Sequence, residues 1–286
     1  MGGGNRVRTG SEIGTPHATK AVTLGLAAFA VAALSSLVAV ILGAGGDVLA
    51  LSLFLFVLPL VSTIHLTTHV AGSLVLIQGF VTTGIAGIGY GMADGLLLAD
   101  VVLGASSIAA GSLGSSIAAS LLSEGALHVV FAVATTIGVV AILRQGRWLG
   151  TPLGGVTPGD PETSVARRQV SPVTAGLLFA VGGLTGALGI GGGFLIIAIL
   201  AWGGTPLHRV RGLTLLLTCV NLLDSFVGHV VTGSVDWTAG GYAFAGAAVA
   251  VGVGLTVGHG VRGRPLYWGL LVLITVAAAR AWVSVA

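Results

Sequence analysis

The sequence predicts an all-α polytopic membrane protein made of two inverted five-segment repeats with glycine-broken helices. The first observation is composition: 55% of residues are hydrophobic and 7% charged, against about 25% charged in a soluble domain. The second is that apolar segments near the bilayer-spanning length of about 20 residues recur along the chain. The third is glycine, with 48 in 286 residues, a content typical of close helix packing and interrupted helices in lipid.

Five apolar segments precede one long polar stretch, and five follow it. The polar stretch, residues 144–171, contains prolines and arginines typical of an exposed linker. Residues 1–20 form a polar N-terminal tail, and the apolar run after it exceeds a signal-peptide core of about 7–15 residues, so we expect a retained span. The first membrane repeat is predicted at 21–143 and the second at 172–286. The segments fall at 21–43, 47–63, 69–91, 95–118, 125–143, 172–189, 192–203, 207–231, 238–258 and 265–285.

The two groups of segments contain similar motifs in the same order. Gly43-Ala44-Gly45-Gly46-Asp47 resembles Gly189-Ile190-Gly191-Gly192-Gly193, and Pro59 then corresponds to Pro206. Equivalent loops carry arginines in the second half and none in the first, which places them on opposite faces of the membrane. The pattern therefore predicts an inverted repeat, in which one half rocks against the other. Interrupted segments at corresponding positions indicate a transporter's binding site.

The glycine runs are the predicted binding elements. Each of Gly191, Gly192 and Gly193 costs a helix about 1 kcal/mol relative to alanine, so an unbroken helix is disfavoured. In lipid, broken backbone is tolerated only inside protein or beside a polar cavity. Free amides and the positive end of the next helix favour an anion there, with Gly45 and Gly46 opposite. The alternative is that these glycines only allow helices to cross closely.

A polar stripe in segment 207–231 is the second predicted binding element. Its members recur at steps of four, three and four residues, so they share one helical face. A polar face in lipid is expected to point to the protein interior or to a water-filled path. The alternative is hydrogen bonding between helices, worth about 1 kcal/mol or less per contact. The stripe contains Thr214, Thr218, Asn221 and Ser225, and the first half has the weaker counterparts Ser73, Gln78, Thr82 and Thr83.

The acidic residues suggest proton coupling at two positions and helix capping at two others. Asp224 lies in the middle of a span, where a lone carboxylate is costly, and His229 lies near the same stripe. Asp47 follows the first glycine run and either caps the next segment or carries a proton. Asp94 and Asp236 are predicted to begin helices as N-caps.

Other chemistry is weakly indicated. His65 and His69 have the spacing of a metal pair, but no carboxylate or thiol motif accompanies them. Cys219 lies in an apolar segment and suits a buried, inert thiol. The sequence contains no Ser-His-Asp constellation, phosphate-binding loop or HExxH motif, and no basic stripe. We therefore expect no enzyme activity, no cofactor and no nucleic-acid partner.

Three motifs in the second half resemble the TauE/SafE family, also called the sulfite exporter family. They are GLTGALGIGGGFL at 183–195, TPLHRVRGLT at 205–214 and GHVVTGSVDW at 228–237. The resemblance implies two repeated halves and movement of small sulfur-containing anions. The resemblance implies a role in substrate binding for the matching positions, which are the glycines, Ser73, Thr214 and the polar stripe. The Gly-Gly-Asp at 45–47 departs from the family, which often has a third glycine there.

The sequence therefore predicts a multi-pass plasma-membrane secondary transporter of sulfite, sulfonates or sulfoacetate that works by alternating access. Asp47, Asp224 and His229 are the candidates for proton coupling. The open alternatives are a metal-cation carrier or channel using Asp47, Asp224, His65 and His69, or a membrane scaffold with no flux. The expected partners are the small anion and the lipid bilayer. The sequence does not give the anion, the direction of transport, the coupling ion, the orientation of the N-terminus or the oligomeric state.

Overall fold

The computed structural model describes residues 16–62, 64–94, 98–119, 121–145, 170–202, 207–231, 235–257 and 263–285. These residues form helices and connections without any strand. The first five helices are α1 (Pro16–Leu42), α2 (Gly46–Val61), α3 (Thr68–Asp94), α4 (Leu98–Ala119) and α5 (Glu124–Gln145). The next five are α6 (Pro172–Gly186), α7 (Gly193–Trp202), α8 (Leu207–Val231), α9 (Trp237–Val257) and α10 (Gly263–Val285).

The helices fit a bilayer. Within the described part of the chain, five helices are long and apolar enough to cross it, namely those at Val22–Leu42, Thr68–Tyr90, Leu98–Ala119, Gly212–Val231 and Trp237–Val257. Four shorter apolar stretches include α2 and α6. Within α2, residues Leu53–Val57 form a π-helical turn. The segments predicted from hydropathy agree with these helices to within a few residues.

Both predicted glycine breaks are present. α1 ends at Leu42 and α2 begins at Gly46, while α6 ends at Gly186 and α7 begins at Gly193. The chain turns through left-handed backbone that only glycine adopts readily. Gly43 and Gly45 have φ of 80° and 89° in the first break, and Gly189 and Gly192 have φ of 68° and 65° in the second.

The second break, residues 187–192, is three residues longer than the first, residues 43–45. When the helix starts are aligned, Gly46 corresponds to Gly193 and Asp47 corresponds to Phe194. Asp47 therefore lies one position inside α2, in its first turn. Its counterpart in the second half is Phe194, and not Gly193 as the motif comparison suggested.

The helix contacts come in equivalent pairs when the two halves are exchanged. α1 packs extensively on α9, and α6 packs extensively on α4. The contact between α4 and α8 is equivalent to the contact between α9 and α3. α3 also contacts its counterpart α8, and α5 contacts its counterpart α10. The close neighbours of each half therefore lie largely in the other half.

Contacts at glycines give the directions of the central helices. α3 and α8 run antiparallel, because Gly79 packs against Leu222 whereas Gly87, further along α3, packs against Leu215. α4 and α6 run parallel, because Gly104 lies near Leu178 and Gly186 lies near Ser112. Inversion of the complete repeats remains a prediction.

Asp94 does not begin a helix, which corrects the prediction, because α3 continues through the glycines before it and ends there. Asp236 is confirmed as a cap, since its Oδ1 accepts from the Ala239 amide at 3.0 Å. Most of the tail at 1–20 and of the linker at 144–171 lies outside the described residues.

Candidate functional site

The two broken helices begin side by side in the interior. Gly46, the first residue of α2, packs against the carbonyl of Ser35. Ser35 precedes the end of α1 by seven residues, which is about 10 Å along the helix axis. Gly193, the first residue of α7, lies beside Ala44 of the first break and Thr218 of α8. The N-termini of α2 and α7 therefore meet deep within the bundle.

A small cavity lies at this meeting point. Its volume is about 20 Å³, and a single buried water needs about 10–15 Å³ on this scale. In this conformation the cavity is therefore too small for a sulfonate. α1, the first break, α3, α7 and α8 supply its walls. The lining residues predicted from the sequence are Gly45, Gly46, Asp47, Gln78, Thr82, Thr83, Gly193 and Thr218. Gly191 and Gly192 are not among the described lining residues, and Gly191 lies beside Asp47 and Thr218.

Asp47 is the one acid that lines the cavity among the described residues. Its side chain is 7% exposed. Its carboxyl group faces the backbone N–H groups of Val48 and of Asp47 itself in the first turn of α2, and those of Gly192 and Gly191 across the second break. A methyl group on Gly191 would lie 3.1 Å from Asp47 Oδ2. That oxygen has no hydrogen-bond partner within the described part of the chain. The amides predicted to bind an external anion thus face a carboxyl group of the protein itself.

Asn221 holds the second break in shape. Its Nδ2 donates to Thr185 Oγ1 at 2.8 Å, to the Gly191 carbonyl at 2.9 Å and to the Ile190 carbonyl at 3.4 Å. A broken helix leaves carbonyl groups without intrahelical partners, and a buried one needs a donor. The carboxamide of Asn221 supplies donors and keeps the Gly191 and Gly192 amides turned toward Asp47.

The rest of the predicted polar stripe divides between cavity and helix packing. Thr218 lines the cavity, and its Oγ1 has no hydrogen-bond partner among described residues. Thr214 is buried one turn away with an equally unpaired Oγ1. Ser225 donates to the Asn221 carbonyl at 2.8 Å and contacts Ser112 of α4. Its place in the contact between α8 and α4 favours the packing alternative there.

Ser73 does not line the cavity. Its Oγ donates to the Val70 carbonyl of its own helix at 2.8 Å. The other first-half counterparts, Gln78, Thr82 and Thr83, do line the cavity. Gln78 Oε1 accepts from Ser35 Oγ at 3.2 Å.

The remaining titratable residues of the sequence analysis lie apart from the cavity. Asp224 is half-buried on α8 and is not among the lining residues. His229 is buried near the end of α8, with its Nδ1 3.0 Å from the Ser225 carbonyl. His229 pairs with His69 at a ring-centroid distance of 6.3 Å, while His65 is exposed before α3 begins. The described residues contain no group of three or more metal-ligating side chains.

Sequence reasoning missed three polar contributions. Ser35 and Ser36 line the cavity from α1, and Ser36 Oγ accepts from Thr82 at 2.7 Å. The adjacent serines in an otherwise apolar span were the available signal. Asp100 in the first turn of α4 accepts from the Val170 amide at 3.1 Å and so anchors the end of the linker.

The described lining contains no lysine or arginine. The family model of the sulfite exporter TauE/SafE family matches residues 28–281, a span that includes both breaks and the whole cavity. The chain belongs to this family. TauE/SafE proteins are membrane transporters and not enzymes, so this is a multi-pass membrane transporter. No curated protein and no solved structure gives a significant match.

Proposed function

We propose that this TauE/SafE protein is a secondary transporter that exports small sulfur-containing anions such as sulfite, sulfonates or sulfoacetate across the plasma membrane. The observation that carries the proposal is the meeting of two helix N-termini at a small interior cavity, which hydroxyl, carboxamide and carboxyl side chains line together with apolar ones. Backbone N–H groups and the positive ends of helix dipoles favour an anion without any cationic side chain. Membership of the sulfite exporter family supports the substrate class.

The small cavity volume supports alternating access. A cavity of about 20 Å³ must widen before it admits a sulfonate, and relative movement of the helices around the breaks would widen it. The exchange symmetry of the helix contacts and the antiparallel packing of α3 on α8 support inverted repeats. In such a transporter the binding site lies near the midplane, and the same movement in reverse opens the other side.

Asp47 is the proton-coupling residue that we favour over Asp224 and His229, because it alone of the three lines the cavity. The cation-carrier alternative is less well supported. Its four side chains do not converge, since His69 pairs with His229 and His65 is exposed.

The test is flux through purified protein in proteoliposomes, with sulfite and sulfoacetate compared with divalent metal cations. A decisive variant is Gly193→Ala, whose methyl group would lie 2.9 Å from Thr218 Oγ1 and 3.6 Å from Ala44 Cβ. Because the φ of Gly193 is not positive, alanine fits the backbone. The Thr218 hydroxyl must shift to admit the methyl group, and the cavity becomes narrower. We expect a folded protein with sulfur-anion flux reduced about tenfold or more, equivalent to at least about 1.4 kcal/mol.

The matched control is Gly176→Ala on the exposed face of α6, where a methyl group meets no atom within 4 Å. This variant should transport like the wild type. Undiminished flux through Gly193→Ala would contradict the assignment of the site. Metal flux without sulfur-anion flux would favour the cation carrier, and no flux of either kind would favour a scaffold.

A further inference from the structure

The second glycine break holds a carboxyl group where the proposed function needs to hold a substrate anion. The Gly191 and Gly192 amides precede α7, a helix of 10 residues, and they face Asp47. A helix N-terminus alone would be weak support for a site. Here an acidic side chain that is almost fully buried points into the cavity, and its Oδ2 has no hydrogen-bond partner among the described residues.

A substrate anion at these amides would lie close to the Asp47 carboxyl group. A methyl group on Gly191 would lie 3.1 Å from Asp47 Oδ2, so an anion oxygen at the Gly191 amide would be its near neighbour. Two like charges this close repel strongly when little water separates them. The described side chains around the cavity include no lysine or arginine that could neutralise a second charge.

Other titratable side chains do not share the cavity with Asp47. α2 packs on α1, α3 and α10. α1 presents Ser35 and Ser36, and α3 presents Gln78 and two threonines, none of which titrates near neutral pH. Tyr90 of α3 and Cys219 of α8 do not line the cavity, and Arg280 of α10 is exposed. α7 contributes only Gly193, and α8 only Leu215, Thr218 and Leu222.

We propose that the Asp47 carboxylate is a tethered competitor of the substrate, so that a monoanion binds at the Gly191–Gly192 amides only after Asp47 has taken up a proton. This inference rests on the proposed transport function and adds its coupling rule. On the loading side a proton from water binds the carboxylate. The neutral carboxyl group then dissociates from the Gly191 and Gly192 amides, and the anion binds them. On the other side the anion leaves, the proton returns to water, and the carboxylate faces the amides again.

One proton therefore moves with each monoanion in the same direction, and no net charge crosses the membrane. The rule predicts faster transport as the loading side is acidified. It also predicts that a monoanion is carried independently of the membrane potential. Without the carboxylate, the anion would move alone and its flux would respond to the potential.

The experiment measures methanesulfonate flux in proteoliposomes as a function of pH and of an imposed potential. Methanesulfonate is a suitable probe because a sulfonate stays ionised over the whole range, so any pH dependence belongs to the protein. For the wild type we expect a flux that increases as pH falls and is independent of the membrane potential. Asp47→Asn keeps the shape of the side chain and removes its charge, so we expect its flux to be independent of pH and to depend on the membrane potential. Its apparent affinity for methanesulfonate at neutral pH should rise about tenfold or more.

Two further variants keep the test decisive. Asp224→Asn removes an acidic side chain of α8 that does not line the cavity, and this variant should retain the wild-type pH profile. Asp47→Ser removes the charge with a smaller side chain if Asp47→Asn does not fold, and it should behave as Asp47→Asn does. Both are checked for monodispersity in detergent before reconstitution.

An unchanged pH profile in the folded Asp47 variants would overturn the inference while leaving the transport function intact. Wild-type methanesulfonate flux that responds to the potential would do the same. Absence of any sulfur-anion flux in the wild type would instead overturn the proposed function, and the coupling rule with it.

Discussion

Replacing Asn221 with alanine should destabilise the second break. The two shorter hydrogen bonds of Nδ2, at 2.8 Å and 2.9 Å, are each worth about 0.5–1.5 kcal/mol net, and an unpaired buried carbonyl costs about 1–3 kcal/mol. The substitution also removes Asn221 Oδ1, a buried oxygen that has no hydrogen-bond partner among the described residues. Its removal offsets part of the loss in stability. We expect destabilisation of about 2–4 kcal/mol, or an apparent melting midpoint about 5–10 °C lower.

The assay is thermal unfolding of the detergent-solubilised protein, followed by tryptophan fluorescence. Cys219→Ala is the matched control, because Cys219 lies on the same helix but faces Phe80 of α3 and not the break. Its midpoint should stay within about 2 °C of the wild type. An Asn221→Ala midpoint equally close to that of the wild type would refute the conclusion that Asn221 holds the second break in shape. Flux through Asn221→Ala should also fall, because the Gly191 and Gly192 amides lose their orientation.

Two other predictions concern packing and capping. Gly182→Val should prevent α6 from crossing α4, because any side-chain carbon there meets the Ile108 carbonyl, while Gly183→Val, whose Cβ would have 4.0 Å of clearance, should fold. Size-exclusion chromatography in detergent measures this, and a monodisperse Gly182→Val would show that the helices can separate there. Asp236→Ala should cost about 1 kcal/mol by removing the cap on the Ala239 amide. Its midpoint should fall by about 2–4 °C with flux unchanged, and a Tm equal to that of the wild type would mean that the cap contributes nothing.

The positions of the helices and of both breaks could be predicted from the sequence, because bilayer thickness and glycine propensity act locally. Segment 207–231 was predicted to the residue, and the turn from Gly186 to Gly193 falls where three consecutive glycines made it necessary. The prediction for Asp94 is wrong because glycines favour turns by local propensity, whereas α3 continues through the glycines before Asp94.

The composition of the site could be predicted only in part. Periodicity placed Thr218 and Asn221 on one face, but only tertiary packing decides that one lines the cavity and the other holds the break. The contact of Asp47 with Gly191 joins residues far apart in the chain, and no local pattern encodes it. Ser35 and Ser36 were missed because hydroxyls within a helix commonly bond to their own backbone, as Ser35 also does.

The exchange of neighbours between the halves has a consequence for biogenesis. α1 finds its most extensive contact in α9, and α4 finds its own in α6. During synthesis the glycine-rich surfaces of the first five helices therefore remain exposed to lipid until the second five helices have been inserted. Neither half expressed alone has the partners that hold its broken helix in place, so a chain cut at the linker should become functional only when both pieces are made in the same cell.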